Sequence, residues 1–109
     1  MTPLRAQLSR RLKALGVEER AWPGRDDGFA SLLFQGKDFA HFHADGEIDI
    51  RLGKDVILRE ALKHPLDSTV HPGRSKSSPW YEFRIRSKAD VDEAVRLVEL
   101  ALVALKKRK

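Results

Sequence analysis

The sequence predicts an α+β domain of two layers: one mixed or antiparallel four-stranded sheet with helices on one face, in the order α-β-β-β-α-β-α. Three observations carry this reading. Asp45-Gly46 forms a turn between two extended segments, and the second alternates charged residues with Ile48, Ile50 and Leu52, as a half-buried strand does. Leucines recur at helical spacing near the start, at positions 4, 8, 12 and 15. A broad apolar stripe from Val91 through Ala94, Val95, Val98, Ala101 and Leu102 to Leu105 marks a second amphipathic helix.

In chain order, Thr2 caps a first helix with Pro3 in its opening turn, and Gly16 ends it. Arg5, Arg10, Arg11 and Lys13 read as its solvent face. Residues 17–27 read as a loop around Trp22-Pro23-Gly24, and residues 28–35 as the first strand. Gln35-Gly36-Lys37 turns into a strand containing His41 and His43, and Glu47 to Leu52 is the third. A short helix from Val56 to about Lys63 is halted at His64-Pro65, because proline disfavours helical geometry in the residue before it. The long irregular segment 65–79 leads into a strand from Trp80 to Arg86. Its placement, beside the first strand or the third, is left open by the sequence. Ser87 and Asp90 form a capping box for the last helix.

A length of 109 residues fits one domain: residues 1–16 a helix, 28–105 the body and 106–109 a basic tail. Hydrophobic residues make up 41%, but no apolar run approaches the roughly 20 residues of a membrane span. Met1 to Lys13 has no signal-peptide core. The absence of cysteine excludes disulfides, thiolate nucleophiles, thiolate-bound zinc and iron–sulfur clusters, and fits a cytoplasmic setting. The net charge is +5, yet residues 26–105 hold eleven basic against fourteen acidic residues. A nucleic-acid groove would carry its positive charge on the folded body. Nucleic acid is therefore not the expected partner, and Lys106 to Lys109 reads as a solvated terminus.

The strongest functional signal is His41-Phe42-His43. Side chains alternate along a strand, so both imidazoles share a face with Phe39. An Asp-Gly loop of two residues would pair His43 with Ile48 and His41 with Ile50, placing the imidazoles on the apolar, helix-covered face. A three-residue bulged loop would instead set Ile48 opposite Phe42. On the first register Asp49 points away from the histidines, toward Phe42, and forms no dyad with them. Imidazoles take and return protons near neutral pH, which suits general acid–base work. His71, in the 65–79 loop, would complete a set with His41 and His43. Three imidazoles with an open position also suit a first-row metal, although no recognised ligand spacing links them. The expectation is a fold that needs neither metal nor cofactor. Arg74 with Lys76 offers cations to a carboxylate or phosphate. No nucleophile elbow surrounds Ser75, Ser77 or Ser78. Phe39, Arg74 and Trp80 are the ligand-binding candidates.

The run Phe39-Ala40-His41-Phe42-His43, the Asp-Gly turn into an alternating strand, the short helix, the His-Pro step and Pro79-Trp80 before a strand and amphipathic helix together resemble the luciferase-like domain. That family holds the fungal luciferases and short bacterial proteins, and the resemblance covers about residues 28–105. It implies a cofactor-free oxygenase scaffold. The fungal enzymes oxidise a hydroxylated pyrone with molecular oxygen, and light comes from breakdown of the peroxide. Carried over, His41, His43, His71 and Trp80 become pocket residues, with the 65–79 loop bringing His71 over the His-x-His strand. Two departures stand out: Met1 to Lys13 holds no hydrophobic segment of the kind the fungal enzymes carry, and Ser78-Pro79 stands where short relatives have Ser-Gly. The expected partner is a small, enolisable aromatic molecule. The alternatives are a non-catalytic interaction module with structural histidines, or a histidine-based metal-binding protein.

Overall fold

Proline has no amide hydrogen to donate, so Pro3 belongs in a helix's first turn. It stands there: α1 runs Pro3–Ala14, and Thr2 Oγ1 accepts the Arg5 N–H at 3.2 Å. The computed structural model describes residues 2–64 and 78–107. After α1 come β1 (Val17–Ala21), β2 (Ala30–Phe34), β3 (Lys37–Ala44) and β4 (Glu47–Arg51), then α2 (Lys54–Arg59), β5 (Trp80–Arg84) and α3 (Lys88–Lys107). The five strands lie in chain order in one sheet, each antiparallel to its neighbours.

The α+β, two-layer architecture agrees with the sequence reading, with one strand added. Val17–Ala21, expected as loop, pairs along its whole length with β2. Only Val17 of its five residues is buried, so the strand lacks the alternation that would reveal it. β5 joins the sheet beside β4. Helix α2 stops at Arg59, short of the expected Lys63. Leu62 N–H reaches Ile57 O at 3.0 Å and Ala61 N–H reaches Leu58 O at 3.1 Å, with Ala61 in the left-handed region at φ 55. Those paired bonds end a helix by closing its last carbonyls, so Pro65 is not what stops it. Ser87 caps α3 as expected, its Oγ accepting from Asp90 N–H at 3.2 Å.

Helices α1 and α3 cover one sheet face and meet it in a core containing Leu8, Leu12, Phe42, Ile48, Ile50, Leu97 and Val98, all at 1% exposure or less. Arg96, on α3, bonds Glu93 at 2.7 Å and Glu60 at 2.7 Å, tying the end of α2 to α3. These bonds hold both carboxyls below their usual range.

Arg5 departs from its expected solvent position: it is 2% exposed. Its guanidinium lies 3.5 Å over the Phe42 ring and donates to Gly28 O at 2.8 Å, Glu19 Oε2 at 3.1 Å and Asp45 Oδ1 at 3.2 Å. One side chain thus joins α1 to β1, to the start of β2 and to the β3–β4 turn. A helical wheel missed it because it counts a cation as solvated, whereas guanidinium stacks on a ring and forks to carboxylates at once.

Two irregularities fix the register of β3. Against β2, Ala40 faces Leu32 and Asp38 faces Leu33, leaving Phe39 as an extra residue. Against β4, the Asp45-Gly46 turn sets Ala44 opposite Glu47 as a two-residue loop requires, but Phe42 then faces Ile48, leaving His43 extra. The expected pairing of His43 with Ile48 and His41 with Ile50 is thereby overturned. His41 faces Asp49, and Ala40 faces Ile50.

Replacing Arg5 by Ala should cost about 2 kcal/mol in urea unfolding, through lost charge-assisted bonds and the ring contact. The partner carboxylates are about a quarter exposed and can rehydrate, which keeps the loss below that of a fully buried pair. Arg10→Ala should cost almost nothing. Equal stabilities for the two variants would contradict this role.

Candidate functional site

A row of side chains crosses the sheet on the face away from α1 and α3. Successive strand partners are Arg20 with Ser31, Ser31 with His41, His41 with Asp49, and Asp49 with Glu82. The expectation that His41 and His43 face the helices is corrected here. The side chains that do so are Phe39, Ala40 and Phe42, each at 0% exposure, while His41 and His43 retain 26% and 14% side-chain exposure on the other face. The bulges explain the error. An extra residue turns two consecutive side chains to one side, so Phe39 and Ala40 both enter the core and simple alternation fails.

Each imidazole meets a carboxylate. His43 Nε2 lies 3.4 Å from Asp49 Oδ2, and His41 Nε2 lies 3.1 Å from Asp38 Oδ1. The first pair is the more enclosed: Asp49 is 4% exposed, and Glu82 beside it is 1% exposed. Ionised carboxylates only accept hydrogen bonds, so an imidazole bound this way offers its Nε2–H to them. That arrangement suits a general base whose ring is held in place by its acid partner. It is the dyad that the straight-hairpin register excluded, since that register placed Asp49 on the far side.

Aromatic rings enclose the pair of histidines. Trp80 stacks on His41 at 5.3 Å and 16°, and Phe29 on its own account stacks at 6.0 Å and 17°. Phe29 also approaches His43 at 5.9 Å and meets Trp22 edge-on at 5.5 Å. Trp22 Nε1 donates to Ser31 Oγ at 2.9 Å. Arg25 lies 4.3 Å over the Phe29 ring and bonds Asp27, whose carboxyl this holds down to about 2. A cleft of about 310 Å³ opens beside this group, lined by Trp22, Ser31, Leu33 and Asp38 among others. Two larger grooves, each about 370 Å³, lie away from the histidines, one between α2 and α3 and one between α1 and β1.

Of the residues expected at the site, His41, His43 and Trp80 come together. Phe39 does not: it lies in the core on the other side of the sheet. His71 and Arg74, with the expected crossing of the His-x-His strand by the loop, lie outside the described residues. Among the described residues, no three His, Asp or Glu side chains form a group able to hold a metal. Sequence reasoning missed Asp38 and Phe29, and set Asp49 aside on the straight-hairpin register. Asp38 and His41 are three apart, which puts them on opposite faces of a regular strand; only the bulge at Phe39 brings them to one side.

These placements set a stability pattern. Phe39→Ala should cost about 3–5 kcal/mol, as for other buried aromatics. His41→Ala should cost less than about 1 kcal/mol, because its contacts are half-exposed. Denaturant titration checks both, and a costlier His41→Ala would put the imidazole in the core after all.

Residues 36–101 match the Luciferase domain family, more than half of the chain and all of β3, β4, α2 and β5. Comparison with curated proteins and with solved structures finds no match. Among the described residues no helix is long and apolar enough to cross a membrane. With the His-x-His strand, the Asp-Gly turn and Trp80 all inside the matched span, the chain belongs to the Luciferase domain family.

Proposed function

We propose that the sheet face holding His41 and His43 binds a small, enolisable aromatic molecule, with His43 backed by Asp49 as the base that removes its enol proton. The observation that carries this is the contact between His43 and the buried Asp49 at 3.4 Å, beside the rings of Phe29, His41 and Trp80. A planar ligand gains offset stacking on Trp80, and a partly desolvated imidazole–carboxylate pair accepts a proton without metal or flavin. The family resemblance supports the next step. The enolate passes an electron to molecular oxygen, the two radicals join through a carbon–oxygen bond, and the peroxide takes up a proton. His71 remains part of this proposal as a further base, on the strength of the resemblance, and Arg74 as an anion contact, because with Lys76 it offers cations to a carboxylate or phosphate. A cytoplasmic, cofactor-independent oxygenase is the resulting reading.

A second reading has an observation of its own. Both imidazoles are already bonded to carboxylates, as histidines in a purely structural role would be. The two separate by experiment. Trp22→Phe leaves Trp80 as the sole indole in a chain with two tryptophans, so its emission reports on the His41 stack. Titration with 4-hydroxy-6-methyl-2-pyrone should change that emission saturably. His43→Ala should weaken the effect by roughly tenfold, the loss expected for a hydrogen bond to a charged group. An oxygen electrode should register consumption with wild-type protein. Binding without consumption favours the interaction module, and no saturable change rejects the site.

A further inference from the structure

We infer that Asp38 is a positioning residue that fixes the tautomer of His41 and makes Nδ1 the atom offered to a ligand's hydroxyl or N–H. This rests on the reading of the face as a small-molecule site, and it adds a residue and an atom to it. Both Asp38 oxygens lie near one imidazole nitrogen, Oδ1 at 3.1 Å and Oδ2 at 3.3 Å from Nε2. A carboxylate has no proton to give, so Nε2 must carry the hydrogen.

The rest of the ring's surroundings narrow the choice. Trp80 and Phe29 both lie nearly parallel to it, at centroid separations of 5.3 and 6.0 Å. An imidazole makes hydrogen bonds in its ring plane, and of the two edge nitrogens of His41 Nε2 is occupied by Asp38. Asp38 also lines the 310 Å³ cleft with Trp22, Ser31 and Leu33, so the carboxylate that holds His41 stands at the border of an open space.

The backbone makes this contact on purpose of register alone. Residues three apart in a regular strand point to opposite faces. The extra residue at Phe39 cancels one alternation and sets Asp38 beside His41. Asp38 is 45% exposed, so its replacement removes a directed bond rather than packing.

Long-range proton–nitrogen NMR of ¹⁵N-histidine-labelled protein, recorded about two pH units above imidazole's ordinary pKa, reads the tautomer directly. Wild-type His41 should show a protonated Nε2 and a bare Nδ1. Asp38→Ala should move both resonances toward the average of the two tautomers, and Asp38→Asn, whose amide oxygen still accepts, should restore most of the pattern. Affinity for 4-hydroxy-6-methyl-2-pyrone should fall about threefold in Asp38→Ala, the scale of a half-exposed charged contact. An unchanged nitrogen pattern in Asp38→Ala, or Asn behaving as Ala, overturns the tautomer assignment. Equal pyrone affinity in wild type and Asp38→Ala overturns the ligand role. Loss of all pyrone binding by wild type instead rejects the earlier reading, while the nitrogen pattern still decides what Asp38 does.

Discussion

The two extra residues in β3 are the constraint on which the rest of this site depends. They let an eight-residue strand run between two five-residue neighbours and still pair with both. The first, at Phe39, buries an aromatic ring in the core and releases Asp38 and His41 to the other face. The second, at His43, sets that imidazole beside Asp49. Bulges aim side chains by local backbone geometry and so place them more firmly than a loop would. Here they convert an apolar-looking strand into a face with two imidazole–carboxylate pairs.

That face would be poorly defined without the anchoring on the opposite side. Arg5 holds Gly28 O, and Phe29 follows directly in the chain. Gly28 has φ +87, and a Cβ there would lie 2.6 Å from Asp45 Oδ1 and 2.9 Å from Asp45 N. Only glycine permits so close an approach of the two turns. The same Asp45 accepts from Arg5 and from the Thr2 amide at 3.2 Å. Helix α1, the β3–β4 turn and the ring that flanks both histidines are therefore coupled through one buried guanidinium. The face that carries the histidines inherits its geometry from the helical layer.

How much of this the sequence disclosed follows from the range of each signal. Local chemistry was legible: the Thr2 and Ser87 caps, the Asp45-Gly46 turn with Ala44 opposite Glu47, and the alternation of Ile48, Ile50 and Leu52. So was the family, through residues 39–43 and Trp80. What failed depended on partners distant in the chain. β1 is held by backbone pairing to β2 and has only one buried side chain. Arg5 is buried by Phe42, Gly28, Glu19 and Asp45, none of them near it in sequence. Ala61 takes a conformation usually left to glycine. The histidines' face required knowing both bulges, and one residue of slip reverses every side chain in a strand. Asp49 was set aside for that reason alone.

Nuclear Overhauser contacts measure directly the side of the sheet on which the two imidazoles lie. His41 ring protons should show cross-peaks to the Trp80 indole and the Phe29 ring, and His43 ring protons to Phe29, in keeping with the centroid separations of 5.3 to 6.0 Å. The Phe42 ring should instead contact Ile48. Cross-peaks from either imidazole to the Ile48 or Ile50 methyls, with none to Trp80 or Phe29, would return the histidines to the helix-covered core and contradict the site described for this fold.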